Sequence, residues 1–469
     1  MFLPFLSLIP IFIAVFLFSL WRPKAAIFLP LVFHVSFLVK TKIFFVPSTG
    51  LELLIIGVLL GVWIAEHYQI LAFVGAGLRA RPRTMFVWEY AEVLPYIVPG
   101  ALILLFVISS TVSALIAPHS TTAWGAWKAL IVEPILYALT LILVVKRYNL
   151  GNWLIASLLG GGVVSCLSSL VFWRFGADFW RFRGIYDVPN SLALILAPLL
   201  VVAVLYYLTR FTEKSSFLQK QESATTDSCC RRNDVVFRFF RSRRWLLIFT
   251  ICVFSILLIA TQSIAGIVSV GVALMFIFFI KKRLSRRVMV GLFLMALLAI
   301  GTQTFSGKIP HLLNRTSSSF IAREQIWTVA LALIKDHVLL GTGLGTFEPA
   351  YQEKLKTLNT NFGTSGVLEW VVRDPHNIFL SFWLNTGLLG LLSIAGLVFM
   401  GAMSFLRKQE SDKRQTDPCF SRDDTTTNQY RMLAGAAMLT LVIFGLFDVP
   451  YWKNDLAVLW WVYLAASIL

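Results

Sequence analysis

The chain has 469 residues, of which 58% are hydrophobic and only 14% are charged, with a mean hydropathy of +0.77. Soluble domains carry about 25% charged residues, and runs of 18 or more apolar residues are typical of bilayer spans, so the composition excludes an ordinary soluble protein. The net charge of +17 lies mostly in loops between apolar runs, where basic residues fix membrane orientation. We therefore predict an all-α, polytopic integral membrane helical bundle in contact with membrane lipids, and no binding to nucleic acid.

Apolar runs predict about 12 or 13 spans, because a span needs roughly 20 residues at a rise of about 1.5 Å each. They lie near residues 2–20, 25–39, 51–72, 93–117, 129–145, 153–172, 190–208, 245–261, 265–280, 288–304, 377–405, 432–447 and 455–469. Met1 to Leu20 lacks the basic start and the cleavage site of a secretory signal, so we expect a retained first span.

Loop charges predict the orientation. Basic residues are concentrated in four connections that fall on one side when the spans alternate: 79–83, 209–244, 281–287 and 407–431. By the positive-inside rule that side is cytoplasmic, so the loops 173–189 and 305–376 face outward. The predicted division has three parts: 1–304, an N-terminal transmembrane bundle with the cytoplasmic loop 209–244; 305–376, one large outward-facing helical loop; and 377–469, C-terminal transmembrane helices with the cytoplasmic loop 407–431.

His376 is the first candidate catalytic residue, because neutral histidine is the side chain best suited to accept a proton near pH 7. It ends the long outward loop, in the stretch Arg373-Asp374-Pro375-His376-Asn377, where Asn377 is placed to cap the following helix. A histidine satisfied at the lipid interface is the competing interpretation.

Arg323 is the second candidate. It precedes Trp327 by one helical turn in a segment that is otherwise apolar to Ile334, so the pattern predicts a helix with one buried or membrane-surface arginine. Such a guanidinium needs an anionic partner, either Glu324, Asp336 or a phosphate of a ligand. An internal salt bridge and ligand binding are both compatible with the sequence.

The outward loop 173–189 contributes Arg181 and Arg183 among aromatic residues, and Pro189-Asn190 is expected to open the next span. Mixed basic and aromatic residues can anchor helices among lipid headgroups, or their guanidinium groups can grip diphosphate oxygens. Glu133 and Asp448 lie near outward span ends, where either could orient a histidine or pair with an arginine.

Motifs for other chemistries are not found in the sequence. None of the five cysteines falls in an outward loop, and none has the spacing of a zinc site. The outward loops hold no Asp-x-Asp pair, and there is no His-Glu-x-x-His, Walker loop or nucleophile elbow. The stretch Gly341-Thr342-Gly343-Leu344-Gly345 is not preceded by a strand, so it is expected to be a turn that ends a helix. We expect no metal and no cofactor.

Four segments, in order along the chain, resemble the O-antigen ligase and O-antigen polymerase superfamily of bacterial lipid-linked glycan transferases. They are Arg181-Phe182-Arg183-Gly184 through Pro189-Asn190, Arg323 to Trp327 with the glycine-rich stretch to Phe347, His376-Asn377 with Gly387-Leu388-Leu389-Gly390, and Gly445-Leu446-Phe447-Asp448. Two departures occur. The arginine of the family's Ser-Arg-Gly start is missing at Ser263 to Gly266, and Asn385-Thr386 stands where a glutamate is common.

The resemblance implies a glycosyltransferase in the bacterial cytoplasmic (inner) membrane, with its active site facing the periplasm. It would move a glycan from an undecaprenyl-diphosphate carrier to a lipid or glycan acceptor, such as lipid A-core. His376 would be the general base, and Arg181, Arg183 and Arg323 would bind the diphosphate without a metal. Arg323 would also be a catalytic residue. The residues that support this site would be Asn190, Trp327, Asn377 and Asp448.

Other functions remain open on the sequence. A polysaccharide polymerase and a protein O-oligosaccharyltransferase of the same superfamily share these features. A polysaccharide transporter or flippase usually shows paired repeats and charges near the middle of the bilayer. No such repeat is found here, and most candidate charges cluster at the outward ends of spans.

Overall fold

The structure is a computed structural model that describes residues 5–43, 46–75, 90–172, 181–211, 244–281, 301, 318–358, 369–411 and 422–468. Within these residues the chain is almost entirely helical, which confirms the all-α membrane prediction. The apolar run 288–304, apart from Gly301, and most of the predicted basic loops lie outside the described residues.

Most of the helices coincide with the predicted apolar runs, because a helix that crosses a bilayer needs a long continuous apolar stretch. In chain order they are α1 Phe5–Trp21, α2 Pro23–Ala26, α3 Leu29–Val32, α4 Gly50–Gly75, α5 Tyr90–Ile116, α6 Ser120–Ala126, α7 Glu133–Arg147, α8 Gly151–Phe172, α9 Pro189–Phe211, α10 Arg244–Ala260, α11 Ile264–Lys281, α12 Ser318–Asp336, α13 Phe347–Leu358, α14 Ile378–Ser411, α15 Arg422–Gly445 and α16 Asn454–Ile468. A π-helical segment, Trp127–Val132, joins α6 to α7.

Six stretches among the described residues are long and apolar enough to cross a membrane. They are Gly50–His67, Ile97–Ile116, Ser120–Arg147, Gly151–Phe172, Pro189–Arg210 and Ile378–Met403. Six further apolar helices are shorter: Leu8–Trp21, Pro23–Val32, Arg244–Ala260, Ile264–Phe278, Gln429–Gly445 and Asn454–Ile468. The chain is a multi-pass membrane protein.

The prediction of a continuous span over 25–39 is wrong. This stretch forms α2, α3 and a 3₁₀ segment, His34–Leu38, instead of one helix. A run of 15 residues falls short of the roughly 20 that a span needs, and proline favours a helix start over a helix interior. Pro23 and Pro30 accordingly lie in the first turns of α2 and α3.

A two-stranded antiparallel sheet, β1 Lys40–Ile43 and β2 Val46–Thr49, was not predicted. Thr49 then ends β2 and caps α4 through a capping box. The Thr49 amide donates to Glu52 Oε1 at 2.9 Å, and the Glu52 amide donates to Thr49 Oγ1 at 3.3 Å. This exchange fixes where the hairpin ends and the membrane helix begins.

A buried ionic cluster ties the hairpin to three helical segments. Lys128 Nζ lies 2.6 Å from Glu52 Oε2 and donates to Ser48 Oγ at 2.7 Å, while Asn454 Nδ2 donates to Glu52 Oε1 at 2.7 Å. Glu133, which the sequence offered as a partner for a histidine or an arginine, has Oε1 4.0 Å from the same ammonium. Paired buried charges hold their geometry because breaking either partner leaves a charge uncompensated.

The helices α12 and α13 pack against each other through one apolar core. On α13 the buried residues Phe347, Tyr351 and Leu355 recur every four positions and so line one face. They contact Ile326 to Ile334 of α12, and Tyr351 Oη donates to the carbonyl of Glu369 at 3.0 Å. This core positions the connector 369–377, which carries the candidate histidine.

The chain divides into two units. The first comprises Met1–Gly161, His311–Met438 and Gly445–Leu469, and the second comprises Gly162–Pro310 and Leu439–Phe444. The two candidate clusters of functional residues belong to different units and are described separately.

Candidate functional site

His376 lies in the connector between α13 and α14 and has a left-handed backbone, with φ of 49°. Non-glycine residues rarely adopt this conformation, which costs on the order of 1–3 kcal/mol and occurs preferentially at functional sites. The next residue stabilises the turn, since Asn377 Oδ1 accepts the amides of Phe379 at 3.0 Å and Leu380 at 3.2 Å. The predicted cap by Asn377 is therefore confirmed, and it fixes the histidine at the very start of α14.

The imidazole of His376 faces a carboxylate. His376 Nδ1 lies 3.6 Å from Asp448 Oδ1, and the histidine side chain is 36% exposed whereas that of Asp448 is 13% exposed. This separation is an ion-pair distance and is too long for a hydrogen bond, and Nδ1 itself is buried with no hydrogen-bond partner among the described residues. A carboxylate beside Nδ1 favours a proton there and leaves Nε2 as the nitrogen that can accept one.

The surroundings raise the pKa of His376. Burial of the ring is the largest single influence and lowers the pKa, and the nearby Arg323 guanidinium also lowers it. The Asp448 carboxylate, assisted by Asp374, outweighs both effects because negative charge stabilises the imidazolium. The site thus holds a histidine that is more basic than an isolated one.

Asp374 is a second carboxylate near the imidazole, and the sequence interpretation did not select it. Its pKa is raised to about 6, chiefly by burial and further by the Asp448 carboxylate, while His376, Lys453 and Arg373 lower it. Two carboxylates and one imidazole thus influence one another's protonation. Its position two residues before His376 was the only available signal, and sequence spacing within a loop does not show which side chains meet.

The short segment Leu446-Phe447-Asp448 is contacted by three of the predicted residues. Asn377 Nδ2 donates to the Leu446 carbonyl at 3.1 Å, and Arg323 Nε donates to the Phe447 carbonyl at 3.2 Å. His376 faces the third residue, Asp448, whose Oδ1 also accepts the amide of Val449 at 2.8 Å. Three side chains from two distant parts of the sequence therefore converge on consecutive residues that follow α15.

Trp327 supports the histidine from α12. Its Nε1 donates to the carbonyl of Pro375 at 2.9 Å, immediately before His376. Arg323 and Trp327 are one helical turn apart on α12, as predicted, and they reach the two chain segments that carry His376 and Asp448. One helix therefore binds both of the segments that carry His376 and Asp448.

Aromatic packing holds the segment after α15 against α14. Phe382 is buried in α14, and its ring centroid lies 4.8 Å from that of Tyr451 and 5.6 Å from that of Trp452. Tyr451 Oη donates to the carbonyl of Leu130 at 2.6 Å and accepts the indole N–H of Trp461 at 2.9 Å. Aromatic contacts of this kind are rigid as well as apolar, so Asp448 is presented by a well-anchored segment.

Arg181, Arg183 and Asn190 lie together in the second unit. Arg181 Nη2 donates to Asn190 Oδ1 at 2.7 Å, and its Nε donates to the Thr261 carbonyl at 3.2 Å. Arg183 Nη1 donates to the carbonyl of Asp187 at 3.3 Å. Pro189 begins α9, as predicted, which places Asn190 in the first turn of that helix where it can orient the guanidinium plane of Arg181.

The backbone around these arginines is closely packed. The amide of Phe182 donates to the Ala260 carbonyl at 2.9 Å, which attaches the segment to the end of α10. Gly184 has φ of +58°, and a Cβ at this position would collide with Ser169 of α8. Only glycine can make this approach without strain, so the Arg-Phe-Arg-Gly pattern reflects packing as well as charge.

Of the two acidic partners proposed for Arg323, Asp336 is paired elsewhere, with its Oδ2 2.7 Å from Lys354 Nζ. The site in the first unit therefore brings together His376, Asp448, Arg323, Trp327 and Asn377. The approach of Arg181 and Arg183 to His376 stays a prediction. Among the described residues, no group of three or more His, Cys, Asp or Glu side chains is arranged to hold a metal ion.

The sequence model of the family described as O-antigen ligase matches residues 246–395, which include α12, α13, His376 and the first part of α14. A comparison with curated proteins finds no match. The match covers about a third of the chain, and it supports membership of the O-antigen ligase and O-antigen polymerase superfamily.

Proposed function

We propose that the protein transfers a glycan from an undecaprenyl-diphosphate carrier to an acceptor hydroxyl of lipid A-core or a similar molecule. The reaction would take place on the periplasmic side of the cytoplasmic membrane, since the positive-inside rule puts His376 on the side opposite the basic loops. The observation that supports this proposal most directly is the position of His376, which lies inside the region that matches the family and faces Asp448, next to the Phe447 carbonyl that Arg323 binds.

The proposed chemistry needs one proton acceptor and several cations. His376 takes the proton of the acceptor hydroxyl as its oxygen bonds to the anomeric carbon of the glycan. The bond between that carbon and the diphosphate oxygen breaks, and undecaprenyl diphosphate leaves with the electron pair. Arg323, and with it Arg181 and Arg183, neutralise the charge that develops on the diphosphate, which is the kind of preorganised electrostatic stabilisation that enzymes favour.

Asp448 has a supporting role in this scheme. Its carboxylate stabilises the imidazolium that forms when His376 accepts the proton, and it orients the ring so that Nε2 faces the acceptor. Asn377 and Trp327 hold the histidine in its left-handed turn, and Asn190 holds Arg181. The arginines supply the positive charge that a metal ion supplies in other glycosyl transfers.

The same residues fit a polysaccharide polymerase or a protein O-oligosaccharyltransferase, which differ from a ligase only in the acceptor. A transporter or flippase is less well supported. The match of residues 246–395 to the O-antigen ligase family favours a glycan transferase over a transporter.

The test is glycan transfer by the purified protein in lipid nanodiscs. A defined lipid-diphosphate donor is offered with lipid A-core, with a second lipid-linked glycan, or with a peptide, and the products are identified by mass spectrometry. His376→Ala should reduce transfer by about 10²–10⁴-fold, the usual contribution of general-base catalysis. The matched control is His119→Ala, an exposed histidine before α6 that has no place in the mechanism.

Two outcomes would contradict the proposal. Full transfer by His376→Ala would remove the histidine from the mechanism. Labelling of a cysteine at position 373, next to the site, by a membrane-impermeant reagent only from the cytoplasmic side would place the chemistry on the wrong face.

A further inference from the structure

The turn between α12 and α13 packs against two apolar helices, α5 and α14. It runs from His337 to Gly345, and all three of its glycines, Gly341, Gly343 and Gly345, have positive φ. It meets α14 where that helix is interrupted, since Gly387 has φ of 73° and ψ of 177°. The interruption frees backbone groups of α14 from their helical partners, and the turn supplies replacements for them.

Hydrogen bonds join the turn to the break. The amide of Leu388 donates to the Leu339 carbonyl at 3.1 Å, and the amide of Thr342 donates to the Leu384 carbonyl at 2.8 Å. Both glycines at the crossing are needed for the approach. A Cβ on Gly387 would collide with the Leu339 carbonyl oxygen, and one on Gly341 would collide with that of Leu384.

The position of this crossing along α14 gives its depth in the membrane. The apolar span of α14 begins at Ile378, and Gly387 is its tenth residue. Nine steps at a helical rise of about 1.5 Å place Gly387 about 13 Å along the helix from Ile378. Since a bilayer has an apolar core of roughly 30 Å, the contact with Leu339 lies inside that core even if the first turn of the helix protrudes.

Helix α5 gives a second, independent measure. Ser109 Oγ donates to the Thr386 carbonyl, next to the break, and Ser113 Oγ donates to the Asn385 carbonyl at 2.6 Å. The apolar span of α5 ends at Ile116, so Ser109 lies seven residues, or about 10 Å at the helical rise, inside that end. Two neighbouring spans therefore agree that the break is below the membrane surface.

Several backbone groups of the turn have partners within the protein, as an apolar environment requires. Lipid chains offer no hydrogen bonds, so irregular backbone at membrane depth is tolerated only when its groups find partners in the protein. The amide of Gly341 donates to the His337 carbonyl at 2.9 Å, and that of Gly345 donates to Asn385 Oδ1 at 2.9 Å. The Val338 carbonyl accepts the indole N–H of Trp383 at 2.8 Å.

The side chains at the tip of the turn are apolar and are exposed on the surface of the protein. Val338, Leu339 and Leu340 are 43%, 71% and 49% exposed, and the adjacent helical residues Leu389 and Leu392 are 45% and 58% exposed. Exposure of this much aliphatic surface to water is unfavourable, whereas contact with lipid chains is not. The exposed apolar surface of the turn continues that of the membrane helix beside it.

We propose that Val338, Leu339 and Leu340 form a re-entrant tip that is immersed in the acyl chains of the bilayer and anchors α12 to the membrane. The depth of the Leu339 contact, the paired backbone groups and the exposed aliphatic side chains all support the same occupant, which is lipid hydrocarbon. Because α12 also carries Arg323 and Trp327, the tip holds the helix of the candidate site at a fixed height in the membrane.

The test measures the surroundings of the tip in the full-length protein. In a variant whose five native cysteines are replaced, Leu339→Cys is labelled with an environment-sensitive NBD fluorophore and reconstituted into phosphatidylcholine vesicles. The matched control is Lys356→Cys on the exposed face of α13. We expect blue-shifted emission at position 339, strong quenching by nitroxide-labelled acyl chains, and a several-fold smaller quenching constant with aqueous iodide than at position 356.

Other results would overturn the proposal. Iodide quenching at position 339 that equals quenching at position 356 would place the tip in water. Protection from iodide that disappears when the protein is diluted in lipid would show that a second copy of the chain covers the tip. Val338→Cys and Leu340→Cys repeat the measurement, and unchanged thermal unfolding of each variant verifies that the label reports on the native fold.

Discussion

His376 Nδ1 and Asp448 Oδ1 lie 3.6 Å apart, although the two residues belong to different connectors of the bundle. The carboxylate raises the pKa of the histidine against the opposing effects of burial and Arg323. The pairing makes the pH dependence of the proposed reaction a direct test of the site.

Asp448→Asn should move the acidic limb of the pH profile to lower pH. The rate is lost as pH falls through the pKa of the imidazole, because the protonated ring cannot accept a proton, and removing the Asp448 carboxylate lowers that pKa. The weaker base should also reduce the maximal rate by about tenfold or more. Both effects are measured from initial rates taken between pH 5 and 9, at intervals of about half a pH unit.

Asp374→Asn should have a smaller effect of the same kind. Asp374 raises the pKa of His376 less than Asp448 does, so its loss should move the acidic limb in the same direction by a smaller amount. An exposed acid on α12, Asp336, pairs with Lys354 and serves as the control, so Asp336→Asn should leave the limb in place. A larger shift for Asp374→Asn than for Asp448→Asn would reverse the assigned roles.

Trp327→Phe should slow transfer without moving the pH profile. The change keeps an aromatic ring but removes the hydrogen bond to the Pro375 carbonyl. Such a bond is worth about 0.5–1.5 kcal/mol, so loosening of the histidine turn should reduce the rate roughly two- to tenfold. Trp370→Phe in the same connector is the control, because that side chain is 47% exposed. Equal rates for Trp327→Phe and the unmodified protein would show that the indole does not position the base.

Arg181→Lys should weaken donor binding even though the charge is retained. A lysine cannot donate to both Asn190 Oδ1 and the Thr261 carbonyl as the planar guanidinium does, so the cation loses its fixed orientation. We expect the KM for the lipid-diphosphate donor to rise by about tenfold. This corresponds to the loss of one bidentate interaction worth roughly 1.4 kcal/mol. Arg147→Lys, in an ion pair with Glu66 at 2.7 Å, is the control and should leave KM unchanged.

Gly341→Ala and Gly387→Ala should both lower the thermal unfolding temperature. Each glycine has positive φ, which costs an alanine roughly 1–2 kcal/mol, and each added Cβ would also collide with a carbonyl oxygen of the opposing segment. Gly345→Ala separates the two effects, since Gly345 has φ of +71° but open space around the added Cβ. Differential scanning fluorimetry in detergent should give a smaller loss for Gly345→Ala; equal losses would show that the crossing is not tightly packed.

Composition and local spacing are enough to predict the class of protein, most helix positions and several local features. Run length and hydropathy are properties of consecutive residues, so they located α4, α5, α8 and α9 to within a few residues. The Asn377 cap and the shared helix of Arg323 and Trp327 also follow from local spacing. The order of the motifs was enough to suggest the superfamily.

Which side chains meet, by contrast, depends on how the helices pack. Asp374 and Asp448 both lie near helix ends, and the packing of Phe382 against Tyr451 holds the segment that carries Asp448, which lies beside the histidine. The sequence also does not predict the break of α14 at Gly387, because glycine is compatible with a continuous membrane helix. Contacts between distant segments depend on how helices pack and where freed backbone groups find partners, and neither is written in a local pattern of residues.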